Sequence, residues 1–218
     1  MASQIIYGRQ PVAEAERGRR RVHRVWRAPE TGGAELERLC GSPDHQGVVA
    51  EVDPYPYAGA SELLGLGDAL LVALDEIQDP RNLGAVCRSA EVAGAAGVVI
   101  PERRSAAITP AACKTSAGAV EHLRVARVRN LADWLTEAKQ ADFWIWGADA
   151  DADSAPWAVD LKGPTVLVLG GEGKGLRPRV AAACDGLVAL PQRGRIDSLN
   201  VSAAATALLF EALRQRSS

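Results

Sequence analysis

The sequence lacks several features that mark specialised classes of protein. Its four cysteines and three histidines are scattered, so neither a disulfide framework nor a zinc site is expected. No run approaches the ~18 apolar residues of a membrane span. No basic segment followed by an apolar core opens the chain. With aromatics at 5% and a net charge of -2, the composition excludes wholesale electrostatic adhesion to nucleic acid. We expect a protein of the reducing cytoplasm, without membrane contact and without a metal ion.

Positive charge is nevertheless concentrated in one short segment near the N-terminus. Six arginines lie between residues 17 and 27, with His23 and Trp26 among them. Clustered guanidinium groups suit phosphate oxygens, and an interleaved aromatic ring can stack on an unpaired base. A solvated charged surface is the simpler interpretation of this segment taken alone.

Short apolar segments alternate with helical patterns after residue 67. Most of these segments are apolar on both faces, which is typical of a parallel sheet covered by helices. The predicted strands are residues 69–74, 97–100, 123–128, 143–147, 165–169 and 186–190. The predicted helices are residues 83–93, 110–119, 131–141, 177–183 and 201–214. Trp144 and Trp146 fall in one predicted strand and are expected in the core.

The domain organisation follows from this pattern. Residues 68–218 form the predicted α/β domain, and residues 1–53 form a smaller N-terminal unit. Residues 54–67 are rich in proline and glycine, and we interpret them as a linker.

Three strand-to-helix junctions carry unusual sequence, at the positions where open α/β sheets place their ligands. The first junction, residues 79–84, contains Asn82 as a candidate helix N-cap, with Arg88 on the following helix. The second, residues 170–175, is glycine-rich but lacks the spacing of a P-loop or a dinucleotide-binding loop. The third, residues 198–202, has more polar side chains than a helix cap needs. Each junction taken alone can be explained by capping or turn formation. The occurrence of all three in this order is not explained in that way.

The three junctions resemble the three motifs of the SpoU (TrmH-type) RNA ribose methyltransferases of the SPOUT superfamily, over roughly residues 70–216. Residues 7–12 and 45–50 also resemble the two ends of the RNA-binding domain that precedes many SpoU catalytic domains. This arrangement is similar to that of the bacterial 23S rRNA guanosine-2′-O-methyltransferases. The stretch between those ends is shorter than family members usually carry, so we expect a shortened N-terminal domain.

The resemblance implies a parallel-sheet α/β fold whose C-terminal part, at about residues 165–205, forms a deep trefoil knot. It implies a homodimer that binds S-adenosylmethionine and methylates a ribose 2′-hydroxyl of RNA, with a guanosine of 23S rRNA as the first candidate. The implied catalytic residues are Arg88, Asn82, Glu172, Ser198 and Asn200. The implied cofactor-binding residues are Gly147, Leu169, Gly170, Gly171, Leu190, Pro191, Ser198 and Leu199.

Several arginines are candidates for RNA phosphate contacts on the basis of their position in the sequence. They are Arg19, Arg20, Arg21, Arg104, Arg193 and Arg195. For any one of them, a surface charge paired within the chain is an equally simple interpretation.

Two questions stay open at this level. Family analogy makes Arg88 a general base, whereas the high pKa of a guanidinium favours an electrostatic stabiliser. The substrate alternatives are tRNA or another rRNA site, including resistance-type methylation. A non-catalytic RNA-binding protein of the same fold is the alternative from a different functional class.

Overall fold

The N-terminal residues form an antiparallel sheet with two helices. The computed structural model describes residues 3–171, 173, 175–195 and 198–217. The elements of the N-terminal unit are, in chain order, β1 (Gln4–Tyr7), α1 (Arg9–Arg17), β2 (Val22–Arg27), α2 (Gly33–Cys40) and β3 (Val48–Val52). Strand β3 lies in the middle and pairs with both β1 and β2. Val48, Ala50 and Val52 of β3 belong to the same core cluster as one face of the larger sheet, so the two sheets share a core.

Strands and helices alternate along the rest of the described chain. The strands are β4 (Leu70–Asp75), β5 (Gly97–Pro101), β6 (Arg124–Val128), β7 (Trp144–Ala148), β8 (Thr165–Gly170) and β9 (Gly186–Val188). The helices are α3 (Ala60–Leu64), α4 (Pro80–Val92), α5 (Pro110–Thr115), α6 (Leu131–Gln140), α7 (Pro178–Ala183) and α8 (Val201–Arg216). Within the described ranges, no helix has both the length and the apolar character needed to cross a bilayer.

The larger sheet is parallel throughout, with the strand order β6-β5-β4-β8-β7-β9. Successive side chains along its strands point alternately into two separate hydrophobic cores, one on each face of the sheet. One core packs against α4, α5 and α8, and the other packs against α3, α6 and α7. The predicted parallel α/β architecture is therefore confirmed. Because parallel strands end at the same edge of a sheet, the three junctions all lie at its carboxyl edge.

Two local predictions are wrong. Asp79, not Asn82, caps α4, since its carboxylate accepts a hydrogen bond from the Arg81 N–H at 2.8 Å and Pro80 opens the helix. Trp144 is 58% exposed rather than part of the core. The neighbouring strand β9 pairs with β7 only from Trp146 onward, so it does not extend alongside Trp144.

The segment at residues 54–67 is packed against the larger sheet. Tyr55 is buried, and its hydroxyl lies 2.8 Å from the carbonyl oxygen of Leu123. Ala58 forms a parallel bridge to Ala126 at the edge of the sheet, and α3 buries Leu63 completely. The glycines and prolines of this segment therefore shape an ordered connection.

Arg20 joins the two sheets from inside the protein. Its Nε donates to Glu121 Oε2 at 2.9 Å, its Nη2 pairs with the other oxygen of Glu121, and its Nη1 donates to Gln4 Oε1 at 2.7 Å. The Arg20 side chain is 1% exposed and that of Glu121 is fully buried. Burial, the largest single effect, opposes the charged guanidinium, but the hydrogen bonds to Glu121 and Cys113 and the charges of these groups together outweigh it and raise the pKa of Arg20.

The prediction that Arg20 binds RNA is therefore wrong, because a buried, fully paired guanidinium is not accessible to a phosphate. Arg19 is exposed but donates to the carbonyl oxygens of Leu123, at 2.6 Å, and Glu121. Arg21 is exposed, and its side chain makes no hydrogen bond or ion pair with a described residue.

Glu121→Ala is expected to lower the free energy of unfolding by about 3–5 kcal/mol, because it leaves the buried Arg20 charge without its counter-ion. Urea unfolding of both proteins measures the change. The matched control is Glu35→Ala, which removes an exposed pair with Arg38 and should leave the free energy of unfolding almost unchanged. Equal, small losses for the two variants would contradict the structural role of Arg20.

Candidate active site

A cleft of about 670 Å³ opens at the carboxyl edge of the larger sheet. It lies between the ends of β7, β8 and β9 and the start of α8. Six of the predicted cofactor residues line it: Leu169, Gly170, Gly171, Leu190, Ser198 and Leu199. Pro191 lines an adjoining cleft of about 520 Å³, together with Arg195. The two clefts share Ala150, Asp151, Leu190 and Gln192.

Gly147 is the exception among the predicted cofactor residues, because it is not part of either cleft lining. It is buried in β7, where an added Cβ would lie 2.7 Å from the Leu176 side chain and 2.9 Å from Cys184 Sγ. Close packing between β7 and the chain after the second junction explains this glycine. The assignment of Gly147 as a cofactor contact is not supported, and its neighbour Ala148 lines the cleft instead.

Gly170 ends β8 against the backbone of the second junction. An added Cβ would lie 2.1 Å from the carbonyl carbon of Gly175 and 2.5 Å from Leu176 N. Gly171 and Gly175 form an antiparallel bridge, with the Gly175 N–H donating to the Gly171 carbonyl at 3.1 Å. Only glycine fits at residue 170, and the loop that it permits presents main chain to the cleft.

An ion pair with a buried carboxylate holds the chain immediately after this loop. Asp75, the last residue of β4, is fully buried and accepts two hydrogen bonds from Arg177, from its backbone N–H at 2.9 Å and its Nε at 2.8 Å. The Nη2 of Arg177 also lies 2.6 Å from Asp75 Oδ1 as an ion-pair contact. The hydrogen bond to Asp75 raises the pKa of Arg177. The pair connects the end of β4 to the start of α7 and so fixes where the glycine loop returns.

Glu76 extends this cluster toward the neighbouring loop. It adopts a left-handed backbone with φ of 59°, and its carbonyl oxygen would lie 3.0 Å from a Cβ at Gly171. Its Oε1 is 3.5 Å from Arg177 Nη1 and 3.6 Å from Arg104 Nη1. These are ion-pair distances, longer than good hydrogen bonds. Glu76 therefore lies between the glycine loop and Arg104.

The first and third junctions are joined by a side-chain hydrogen bond. Asn200 Nδ2 donates to Asn82 Oδ1 at 3.2 Å. Asn200 also caps α8, because its Oδ1 accepts from the Ser202 N–H at 2.9 Å. Asn82, in the first turn of α4, is thereby brought to the rim of the cleft.

The structure does not bring Arg88 into the same cluster. Arg88 lies on the exposed side of α4, between Ala85 and Val92, and makes no hydrogen bond or ion pair with any described residue. It does not line the cleft of its own chain. Glu172, the remaining predicted catalytic residue, lies outside the described residues.

The other predicted RNA-contacting arginines lie at the surface. Arg104 is 76% exposed, and Arg193 and Arg195 are exposed beside the two clefts. Sequence inspection missed Asp75 and Arg177. The signal available for Asp75 was its position as a charged residue at the end of an apolar strand. No local pattern indicated that Arg177, 102 residues away, is its partner.

The arrangement is suited to a small ligand held mainly by backbone. The cleft volume falls in the range of about 300–1,000 Å³ typical of small-molecule sites. Its lining consists mainly of glycine, alanine, leucine and valine residues, with Asp149 and Asp151 on the side formed after β7. Among the described residues, no group of three or more His, Cys, Asp or Glu is placed to hold a metal ion.

Comparison with known proteins gives a consistent result. Residues 69–210 match the SpoU rRNA Methylase family. An uncharacterized tRNA/rRNA methyltransferase of Mycolicibacterium vanbaalenii is 46% identical over 84% of this chain, and the chain spans 60% of that protein's length. The 23S rRNA (guanosine-2′-O-)-methyltransferase RlmB of Xanthomonas campestris is 45% identical over 83% of this chain and 75% of its own.

A solved structure extends the similarity to nearly the whole chain. The SpoU methyltransferase AviRb from Streptomyces viridochromogenes, in complex with the cofactor AdoMet, aligns with a TM-score of 0.85 and 27% identity. The alignment covers 99% of this chain and 91% of that one. The N-terminal unit is therefore included in the structural similarity.

Arg177→Ala is expected to lower the free energy of unfolding by about 3–5 kcal/mol, because it leaves the Asp75 carboxylate buried without its partner. Arg179→Ala is the matched control two residues further along, since it removes a pair with Asp133 in which both side chains are more than half exposed and should cost less than about 1 kcal/mol. Chemical unfolding followed by circular dichroism measures both. A loss below 1 kcal/mol for Arg177→Ala would show that the pair does not hold the loop.

Proposed function

The chain belongs to the SpoU rRNA Methylase family, and we propose that it transfers a methyl group from S-adenosylmethionine to a ribose 2′-hydroxyl of RNA. The observation that carries this proposal is the cleft itself. Its wall is formed by the second and third family motifs, and the Asn82–Asn200 hydrogen bond connects the first motif to it. All three motifs thus meet at one site.

The residues of the cleft fit S-adenosylmethionine. The close approach of Gly170 to Gly175 leaves backbone N–H and C=O groups along the wall, which suits recognition of an adenine ring through main-chain hydrogen bonds. We assign the binding role to Leu169, Gly170, Gly171, Leu190 and Leu199, with Ser198 and Pro191 at the rim. When bound, the cofactor supplies a methyl group activated by a sulfonium centre.

Arg88 has the role of electrostatic stabiliser in this proposal. A ribose hydroxyl is a weak nucleophile at neutral pH. A guanidinium does not give up its proton, so it favours the reaction by stabilising negative charge that develops on the 2′-oxygen. Asn82 and Asn200, linked to each other, orient the ribose or the arginine. Glu172 and Ser198 complete the proposed set.

The first-choice substrate is a guanosine of 23S rRNA, in the cytoplasm. This choice is supported by 45% identity to a protein named as a 23S rRNA guanosine-2′-O-methyltransferase. A tRNA or a different rRNA position is the alternative, because substrate choice rests with the N-terminal unit. We propose residues 1–53 as that RNA-binding unit, residues 54–67 as its ordered connection, and residues 68–218 as the catalytic domain.

We also propose that residues 165–205 form the trefoil knot of the family. The strand order supports it, since β7 lies between β8 and β9 although it precedes both in the chain. The final helix α8 packs against β8 and α4. After the third junction, the chain therefore returns to the strand that precedes the second junction. Such threading is a rare exception to the rule that chains avoid knots.

A homodimer places Arg88 at an active site. Helices α4 and α8 pack side by side, with a hydrogen bond of 2.6 Å between the Ser89 and Thr206 hydroxyls. Their outward sides include Val92, 60% exposed, and Phe210, 44% exposed. An apolar surface around Arg88 favours a subunit interface, from which the guanidinium reaches the partner's cleft.

Arg88→Ala is expected to abolish methylation while leaving S-adenosylmethionine affinity within about threefold of the wild type, because Arg88 lies outside the cleft. Ribose-methylation mapping of total RNA from cells lacking the protein identifies the site that wild-type protein restores. The same cells carrying Arg88→Ala should leave that site unmodified.

Arg179→Ala is the control for this experiment, since it removes an exposed arginine that is paired with Asp133 of α6, and it should restore the site fully. Near-normal methylation by Arg88→Ala would refute the role of the arginine. Cofactor binding with no RNA site restored by the wild type would favour a non-catalytic RNA-binding protein.

Phe210→Ser is expected to convert a dimer into a monomer, because it removes the largest exposed apolar side chain of α8. Light scattering coupled to gel filtration measures the mass. The control is Trp144→Ser, which removes an aromatic residue of similar exposure on β7 and should leave the mass unchanged. A monomeric wild type, or a dimeric Phe210→Ser, would contradict the proposed interface.

A further inference from the structure

The loop at residues 102–109, which follows β5, contacts both the N-terminal unit and the chain just before the first junction. On one side, Gln4 Nε2 of β1 donates to the Ile108 carbonyl at 3.0 Å. On the other side, the Ala106 N–H donates to the carbonyl of Ile77 at 2.7 Å. This loop therefore contacts both the proposed RNA-binding unit and the chain that leads into the first junction.

Four arginines lie at the start of this loop and at the end of the neighbouring strand β6. Pro101 of β5 pairs with Val128 of β6, so the residues that follow these two strands lie side by side. The set, which we term the basic corner, consists of Arg103, Arg104, Arg127 and Arg129. All four are exposed, at the same carboxyl edge of the sheet as the cleft.

Two of these side chains, those of Arg104 and Arg127, contact other groups of the protein. Arg127 Nη2 donates to the Glu102 carbonyl at 3.0 Å, and its guanidinium lies 5.2 Å from the Tyr57 ring centroid. Arg104 faces Glu76 at 3.6 Å. The side chains of Arg103 and Arg129 make no hydrogen bond or ion pair with the part of the chain that the structure describes.

The balance of charge distinguishes the basic corner from other arginines of the surface. Arg17, Arg27, Arg38 and Arg214 each pair closely with a glutamate, at 3.0 Å or less. Among the described residues, the four guanidinium groups of the basic corner make one ion pair with a carboxylate, the 3.6 Å contact of Arg104 with Glu76, in a chain whose net charge is -2. Such a local excess of positive charge suits the phosphates of a nucleic acid backbone.

We propose that the basic corner holds the RNA backbone between the N-terminal unit and the cleft, so that the bound strand runs along the 102–109 loop to the ribose that is methylated. The proposal rests on the RNA methyltransferase function proposed above and adds the surface that guides the substrate. Arg103 and Arg129 contact phosphates directly. Arg104 exchanges its long contact with Glu76 for a phosphate, and Arg127 forms the fixed base of the surface.

The test is the triple variant Arg103→Ala, Arg104→Ala and Arg129→Ala, which spares Arg127 because of its packing on Tyr57. Filter binding of protein-free 23S rRNA over a range of salt concentrations gives the slope of log Kd against log salt. Because each phosphate contact contributes about 0.7–0.9 to that slope, the variant should lose about two units. S-adenosylmethionine affinity should stay unchanged, which also shows that the variant is folded.

The matched control removes three cations elsewhere, with Arg38→Ala, Lys162→Ala and Arg179→Ala, and should keep the wild-type slope. The triple variant Arg103→Lys, Arg104→Lys and Arg129→Lys should also keep the wild-type slope, since the contacts are electrostatic. An unchanged slope for the alanine triple, or an equal loss in the control, overturns the basic corner alone. A wild type that binds no RNA and methylates none refutes the proposed function as well.

Discussion

The structure of the site depends on the contact between Gly170 and the backbone of Gly175 and Leu176. A side chain at Gly170 would place its Cβ 2.1 Å from the Gly175 carbonyl carbon, so β8 can end against the returning loop only with glycine at this position. The loop then delivers Arg177 to the end of β4, where Asp75 is buried and needs a counter-ion. The cleft is the space left between this loop, the end of β9 and the start of α8.

Long-range polar contacts connect the parts that the sheet places near one another. Asn200 joins the third junction to Asn82 in the first, and Arg177 joins the second to Asp75. The Arg20–Glu121 pair connects the N-terminal unit to the larger sheet, because the pair is buried and the two sheets share one hydrophobic core. A unit fixed in this way has a defined position relative to the cleft, which suits a substrate that contacts both.

The arginines show the limit of interpretation from sequence. The segment at residues 17–27 looked like a uniform basic cluster, yet Arg20 is buried, Arg19 binds carbonyl groups, and Arg27 pairs with Glu16. Their partners lie more than 100 residues away or on another element, where no local pattern can indicate them. Trp144 was misassigned for a related reason, since the length of the neighbouring strand β9 decides its exposure.

The sequence by itself determined the order of strands and helices, because periodicity is a local property, and it contained the three motifs whose residues carry the resemblance to the family. Each predicted strand and helix from residue 69 onward was found, with its ends shifted by a few residues. Only the tertiary structure decided which strands are neighbours, which motif residues line one cleft, and that Gly147 is packed closely against Leu176 and Cys184. It also decided that Asp79 caps α4 and that Arg88 faces outward. These facts depend on contacts between residues far apart in the chain, which form only when the sheet and its helices assemble.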